Sequence, residues 1–426
     1  MSYRQVLKYL NSLANYEKNT NYPYKGTFKL ARIENFLNLI GNPQKSLRVI
    51  HVAGSKGKGS TCAFIAYILK EAGFYVGLYT SPHLHDFRER IRILRPSVYK
   101  RRRLVKGDFE GLISKKDLAS LVNELKPVIT RYNRNSKYGP LTFFEVYTAV
   151  AFLYFKQEKI DFVVLETGMG GLLDATNTVN SLVQVITPIS YEHTQKLGDT
   201  LAKIATEKAG IIKSNKIVIS APQKKEALNV IQDKCKKLKT KLFIVGKDIE
   251  IPKLKLSLIG AHQLLNAACA IGAIGALGNY GFKISIRAMR QGIKNTRWPG
   301  RCEVIKKNPL IILDGAQNLA SAGVLKSVIE DNFKYKKLIL VLGICLDKDI
   351  SGICRTLNPL ADQVILTRAA TSRAADPKKL AIYFKRKLYL TKDVAEARLL
   401  SLRLAHKEDL ILVTGSLFVV GEFRNV

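Results

Sequence analysis

The sequence predicts an α/β protein made of two successive units, each a parallel-rich sheet with helices on its faces. Three observations carry this. Short aliphatic and β-branched runs alternate with helical stretches along almost the whole chain. Several of the strand-like runs end in glycine or a small polar residue where a helical pattern begins, as buried strand–turn–helix units do. The alternation breaks at NTRWPGR (Asn295–Arg301) and then restarts, which sets the expected units at residues 1–295 and 296–426. A chain of 426 residues is also too long for one typical core.

In order along the chain, LRVIHVAG (Leu47–Gly54) reads as a buried strand ending in glycine, and STCAFIAYILKEAG (Ser60–Gly73) as a helix with a glycine stop. YVGLYTS (Tyr75–Ser81) is the next strand. The run from Thr142 opens with a capping-box pattern, Thr142 to Glu145, and continues as an apolar helix. DFVVLETG (Asp161–Gly168) and LVQVIT (Leu182–Thr187) are further buried strands. Beyond the break come LIILDGA, a helix from about Asn318, then KLILVLG, QVILTR and DLILVTGS. Strand–helix alternation of this kind predicts right-handed crossovers and parallel pairing.

Composition narrows the class. A hydrophobic content of 47% with 24% charged residues is that of an ordinary globular protein. No apolar run is long enough to span a bilayer, and the N-terminus has no signal-peptide core, so a cytoplasmic protein without membrane association is expected. The six cysteines are scattered, as reduced thiols would be. The formal net charge of +35 suits polyanions, but the basic residues are spread along the chain and no nucleic-acid motif accompanies them, so no specific nucleic-acid partner is expected. One basic cluster stands out locally, from Tyr99 to Gly111.

Chemistry concentrates at strand ends. HVAGSKGKGSTC (His51–Cys62) lies between a buried strand and a helix, the context of a phosphate loop. Its glycines, Gly57 and Gly59 among them, let backbone N–H groups converge on phosphate at a helix N-terminus. Lys58 adds charge, and the Ser60 hydroxyl suits Mg2+. Glu166, at the end of a strand, fits either a cation ligand or a loop residue, and His193 follows another strand end with the same ambiguity. Glu145 pairs with Thr142 as a helix cap. Nothing local singles out Lys208, Asn266, Arg301 or Asp314.

Taken together, HVAGSKGKGS, YTSPHL, ERIRI, LTFFE, LETGMGGLLDATN, EHTQKLG, EKAGIIK, GAHQLLNA, RWPGR, LDGAQN, LDKDI and ILVTGSLFVVGEFR occur in one order from about Lys29 onward. In this the chain resembles the folylpolyglutamate synthase/dihydrofolate synthase family of the Mur ligase superfamily, in its bifunctional bacterial form. The resemblance implies a Mur-ligase-like phosphate-loop ATPase domain followed by a smaller Rossmann-like domain. It implies an ATP- and Mg2+-dependent ligase that adds L-glutamate to dihydropteroate or to folates through an acyl phosphate. It places Gly57, Lys58, Gly59, Ser60, Asn266, Arg301 and Asp314 at ATP, and Ser60, Ser81, Glu166 and His193 at the metal. Lys208 matches a lysine that is carbamylated in the family; with Lys58 and His193 it would be catalytic. Thr142, Phe143, Phe144 and Glu145, with Leu173, Asp174 and Ala175, match the dihydropteroate pocket. A monomer suffices for all of this.

Four departures from the family pattern stand out: Ser55-Lys56 for Thr-Asn, Leu172 for arginine, Glu192 for aspartate, and Gln317 and Leu319 for histidine and proline. The competing readings are a chain-extending folylpolyglutamate synthase alone, another Mur-type amide ligase, and a basic nucleic-acid-binding phosphate-loop ATPase.

Overall fold

A computed structural model of the protein describes residues 1–17, 22–96, 109–252, 254 and 256–425, with Lys25 described by its backbone alone. Most of the basic Tyr99–Gly111 cluster, including Arg101, Arg102 and Arg103, therefore lies outside the described residues.

Two sheets form. The first has the order β3-β2-β4-β1-β5-β6-β7. Its strands are β1 (Val49–Ala53), β2 (Val76–Tyr79), β3 (Ile91–Leu94), β4 (Phe162–Glu166), β5 (Val183–Ile186), β6 (Ile217–Ser220) and β7 (Lys241–Ile244). The second has the order β12-β11-β10-β13-β9-β8. It comprises β8 (Glu303–Lys307), β9 (Leu310–Leu313), β10 (Leu338–Leu342), β11 (Gln363–Leu366), β12 (Lys387–Leu390) and β13 (Leu410–Thr414). The central strands β1, β4, β10 and β13 are buried at every position, which is why they read as continuous apolar runs. The outer strands β7 and β12 are partly exposed, and their lysines mask the strand pattern in the sequence.

Pairing is parallel except at one edge of each sheet, where β3 runs antiparallel to β2 and β8 antiparallel to β9. The sheets are parallel-rich, as expected from the sequence, and connection length explains the antiparallel edge of the second. Only Asn308 and Pro309 separate β8 from β9, and a parallel crossover needs about a dozen residues or more.

Apolar side chains cover both faces of each sheet. Ile50, Val52, Val164 and Val185 pack against Phe64, Ile68 and the small-residue helix His262–Ala276 on one side, while Val49, Val163 and Leu165 meet Phe152 and Phe155 on the other. No helix among the described residues is long and apolar enough to cross a membrane.

Candidate active site

β1 lies between β4 and β5, so the loop that leaves its C-terminal end opens at the centre of the sheet, where α/β proteins form ligand crevices. The loop turns into the helix Lys58–Glu71 through Gly57, which has φ +82° and makes no side-chain cap. The N–H groups of the first helical turn are thus available to an anion. Space as well as dihedral angle demands glycine here. A Cβ on Gly57 would lie 2.1 Å from Asn266 Oδ1, and one on Gly59 would lie 2.7 Å from Trp298 Cζ2. Gly57→Ala is expected to weaken nucleotide binding about tenfold or more and, through the strained backbone, to lower the melting temperature modestly. Calorimetric titration with ADP checks this, and unchanged affinity would show that the loop does not grip the nucleotide.

Charge is gathered tightly behind the loop. Lys58 Nζ and Lys208 Nζ donate to the same carbonyl, Gly54 O, at 3.1 and 2.8 Å. Lys208 ends the helix Leu201–Lys208 and is buried. Loss of water, then the neighbouring Lys58, lowers its pKa to about 7, so a large share of it is the neutral amine at neutral pH. For Glu192 burial alone would raise the pKa, but Lys58, Lys56 and Lys208 outweigh it and hold the carboxylate below its ordinary range. His193 sits in the left-handed region at φ 52°, with Nε2 3.9 Å from Glu192 Oε1. Desolvation in the cleft lowers its pKa to about 4, leaving a neutral ring with a lone pair to offer. Glu166, the last residue of β4, accepts a hydrogen bond from Ser81 N at 3.1 Å; burial raises its pKa while Lys58 opposes the rise.

Beside this cluster lies a cavity of about 470 Å3, walled by both units. Thr142, Phe144 and Asp174 face it from the N-terminal unit, and Gln317, Lys348 and Arg373 from the C-terminal unit. Asp174 is held rigidly. One carboxylate oxygen accepts from Gly168 N and Met169 N at 3.0 and 2.9 Å, the other from Thr176 N and Thr176 Oγ1 at 3.0 and 2.5 Å.

Four of the seven residues expected at the pterin pocket point elsewhere. Phe143 stacks on Tyr147 at 5.4 Å inside the core. Leu173 and Ala175 also pack against hydrophobic cores. Glu145 caps its helix and accepts from Arg32 Nε with both oxygens, at 2.8 and 2.9 Å.

From the C-terminal side, Arg301 lies near enough to Glu166 and Lys56 to act on their charges, and Asp314 lies close by at the end of β9. Asp314 accepts from Cys302 N and Ala316 N at 2.9 and 2.8 Å, fixing the turn after β9 against the start of β8. Arg301 Nη1 donates to Gly300 O at 3.2 Å and lies against Gly315. His262, near both, is held below its ordinary pKa by burial, with Asp314 opposing the shift.

Sequence reasoning assigned no role to Glu17, Arg90 or Arg373, which brace the cavity. Arg90 donates to both Glu17 carboxylate oxygens at 2.8 and 2.5 Å, while Arg373 Nη1 donates to Glu17 O at 2.8 Å and its Nη2 to Asp347 at 2.8 Å. Arg90 belongs to the ERIRI motif, which offered a signal without a role; Glu17 and Arg373 have no local signature.

Residues 300–417 match the family described as Mur ligase, glutamate ligase domain. Over 421 residues the chain is 33% identical to a dihydrofolate synthase/folylpolyglutamate synthase from Bacillus subtilis, covering 93% of this chain and 94% of that protein. It superposes on a folylpolyglutamate synthase from Mycobacterium tuberculosis complexed with ADP at a TM-score of 0.86, with 28% identity, covering 99% of this chain and 97% of the other. The corresponding values for E. coli FolC in complex with DHPP and ADP are 0.83 and 29%, covering 100% and 97%.

Proposed function

The chain belongs to the dihydrofolate synthase/folylpolyglutamate synthase family, and from that premise we propose that its cleft joins L-glutamate to dihydropteroate and to reduced folates at the expense of ATP. The observation that carries this reading is the juxtaposition of a glycine-lined phosphate loop with a cavity that both units wall. The division at 295/296 is part of the reading. It is supported by the two sheets, whose strands come from residues 49–244 and 303–414, and by the family match beginning at residue 300.

A carboxylate is a poor electrophile, and bringing it to a triphosphate sets anion against anion. In this reading the amide groups of Gly57, Lys58, Gly59 and Ser60 cradle the phosphates, and the Lys58 ammonium offsets their charge. Asn266, Arg301 and Asp314 hold the remainder of ATP, so the nucleotide bridges the two units. The acceptor lies in the cavity against Thr142, Phe144 and Asp174, with its free carboxylate toward the phosphate loop. Its oxygen takes the γ-phosphoryl group as ADP leaves. The amine of glutamate then attacks the acyl carbon, phosphate departs, and an amide remains. The protein's share is position and charge, as for phosphoryl transfer generally.

Mg2+ fits the donors present. Glu166 carboxylate, the Ser60 and Ser81 side chains and neutral His193 all belong to this cleft in the proposed reading. Among the described residues no three His, Cys, Asp or Glu side chains form a cage, which suits an ion that keeps phosphate oxygens and waters as ligands. When bound, it would neutralise charge developing on the phosphates. Lys208, with its depressed pKa, has the neutral amine that carbamylation by CO2 requires.

The test is ADP release with ATP, Mg2+ and glutamate, supplying either dihydropteroate or tetrahydrofolate. Turnover with both, abolished in Lys58→Ala, is the expected result. Turnover with tetrahydrofolate alone would favour chain extension only, with Leu172 and Gln317 as the first residues to revert. Folded protein that binds ATP but turns over neither acceptor would overturn the proposal.

A further inference from the structure

The phosphate loop carries a second lysine, Lys56, to which nothing above gives a role. Its backbone is fixed without help from the side chain. Ser55 N and Lys56 N both donate to Pro188 O, at 3.0 and 3.2 Å, and Ser55 Oγ donates to Ser190 O at 2.9 Å. The Lys56 side chain is 31% exposed, with its ammonium 3.9 Å from Glu192 Oε1, beyond hydrogen-bond distance. Its other charged neighbours are cations: Lys58 on its own loop, and Lys348 and Arg301 from across the cleft.

A partly desolvated ammonium among three like charges, with one loose carboxylate partner, is an unfavourable arrangement that the backbone of the loop does not require. Immediately around Lys56, the cations Lys58, Lys348 and Arg301 act against Glu192, and Asp347 pairs with Lys348 at 3.1 Å, so the mouth of the phosphate loop carries positive charge that a polyanion would offset. Lys56 feels the charge both of Lys58, on the phosphate loop, and of Lys348, on the wall of the cavity. In the ligase reading, the outermost phosphate meets the acceptor carboxylate between that loop and that wall.

We propose that Lys56 is a second phosphate-binding lysine, which holds the terminal phosphate of the nucleotide through its transfer to the acceptor, with Glu192 as its partner until that phosphate arrives. The proposal rests on the ligase reading above. It makes Lys56 a residue that distinguishes a triphosphate from a diphosphate, whereas Lys58 and the loop amides serve both.

Calorimetric titration of wild type, Lys56→Asn and Lys56→Arg with Mg2+ and either ADP or the β,γ-methylene analogue of ATP tests it. Lys56→Asn is expected to weaken the triphosphate analogue about tenfold or more, the size of one charge-assisted contact, and to leave ADP affinity nearly unchanged. Lys56→Arg keeps the charge and should retain most of the affinity. The salt dependence of analogue binding should be shallower in Lys56→Asn than in wild type. Equal losses for both nucleotides, or none, in a wild type that binds both would overturn this proposal and leave the ligase reading standing. A wild type that binds neither nucleotide would overturn both.

Discussion

Lys208→Met is expected to give a protein that is harder to unfold and nearly inactive. The lysine is fully enclosed, and its folded-state pKa is about 7 against 10.5 for the free side chain. Between those values the unfolded chain binds a proton that the native state does not, so this group makes stability rise with pH across that window. Below about pH 7 the native state bears the whole cost of a buried ammonium beside Lys58; above pH 10.5 the cost is gone. Methionine removes that cost and leaves Gly54 O with Lys58 as donor. In bicarbonate-free buffer the stability gain, measured by urea unfolding, should be largest at pH 6 to 7 and shrink toward pH 10. Turnover should fall by about 10²–10³, as when a preorganised charged group is lost from a transition state. Wild-type turnover in bicarbonate should rise with pH through about 7, as the neutral amine becomes available. Near-normal turnover in Lys208→Met would remove this lysine from the machinery.

The second large effect is on folding. Arg32 and Glu145 form a buried ion pair at 2.8 Å, both side chains 7% exposed, joining the helix Leu30–Leu39 to the start of the helix Phe143–Gln157. Arg32→Met should cost about 3–5 kcal/mol, because Glu145 is left charged in a dry site with only its capping contacts. The double variant Arg32→Met/Glu145→Gln should recover a good part of the loss, since a neutral amide costs far less to bury. Chemical denaturation of the four proteins of the cycle measures the coupling. A single variant as stable as wild type would mean that the pair contributes nothing net. Because Thr142 at the same helix start lines the cavity, Arg32→Met should also raise KM for the pterin acceptor more than for ATP.

Much of the fold was legible beforehand. The buried central strands announce themselves as apolar runs, the phosphate loop as glycine between strand and helix, and the Thr142–Glu145 box as a helix start that the structure forms with both reciprocal bonds. Strand β3 gave no such signal. It is four residues long, and its one arginine, Arg92, fully buried between Phe109 and Trp298, breaks the apolar pattern.

Within the candidate site the split is similar. The sequence by itself determined what adjacent residues decide: the loop Gly54–Ser60, the strand-end position of Glu166 and the place of His193 after a strand. These depend on backbone dihedrals and hydrogen bonds that span a few residues. Which of these residues turn toward the cavity was settled by packing, since Phe143 and Phe144 are neighbours on one helix turn yet face core and cavity respectively. The pKa of Lys208 arises from Lys58, Glu192 and the loss of water around it, and Glu17 meets Arg373 across 356 positions of chain. Charge interactions of that kind act through space at a few ångströms and depend steeply on burial, so only the packing of segments distant in the chain fixes their size.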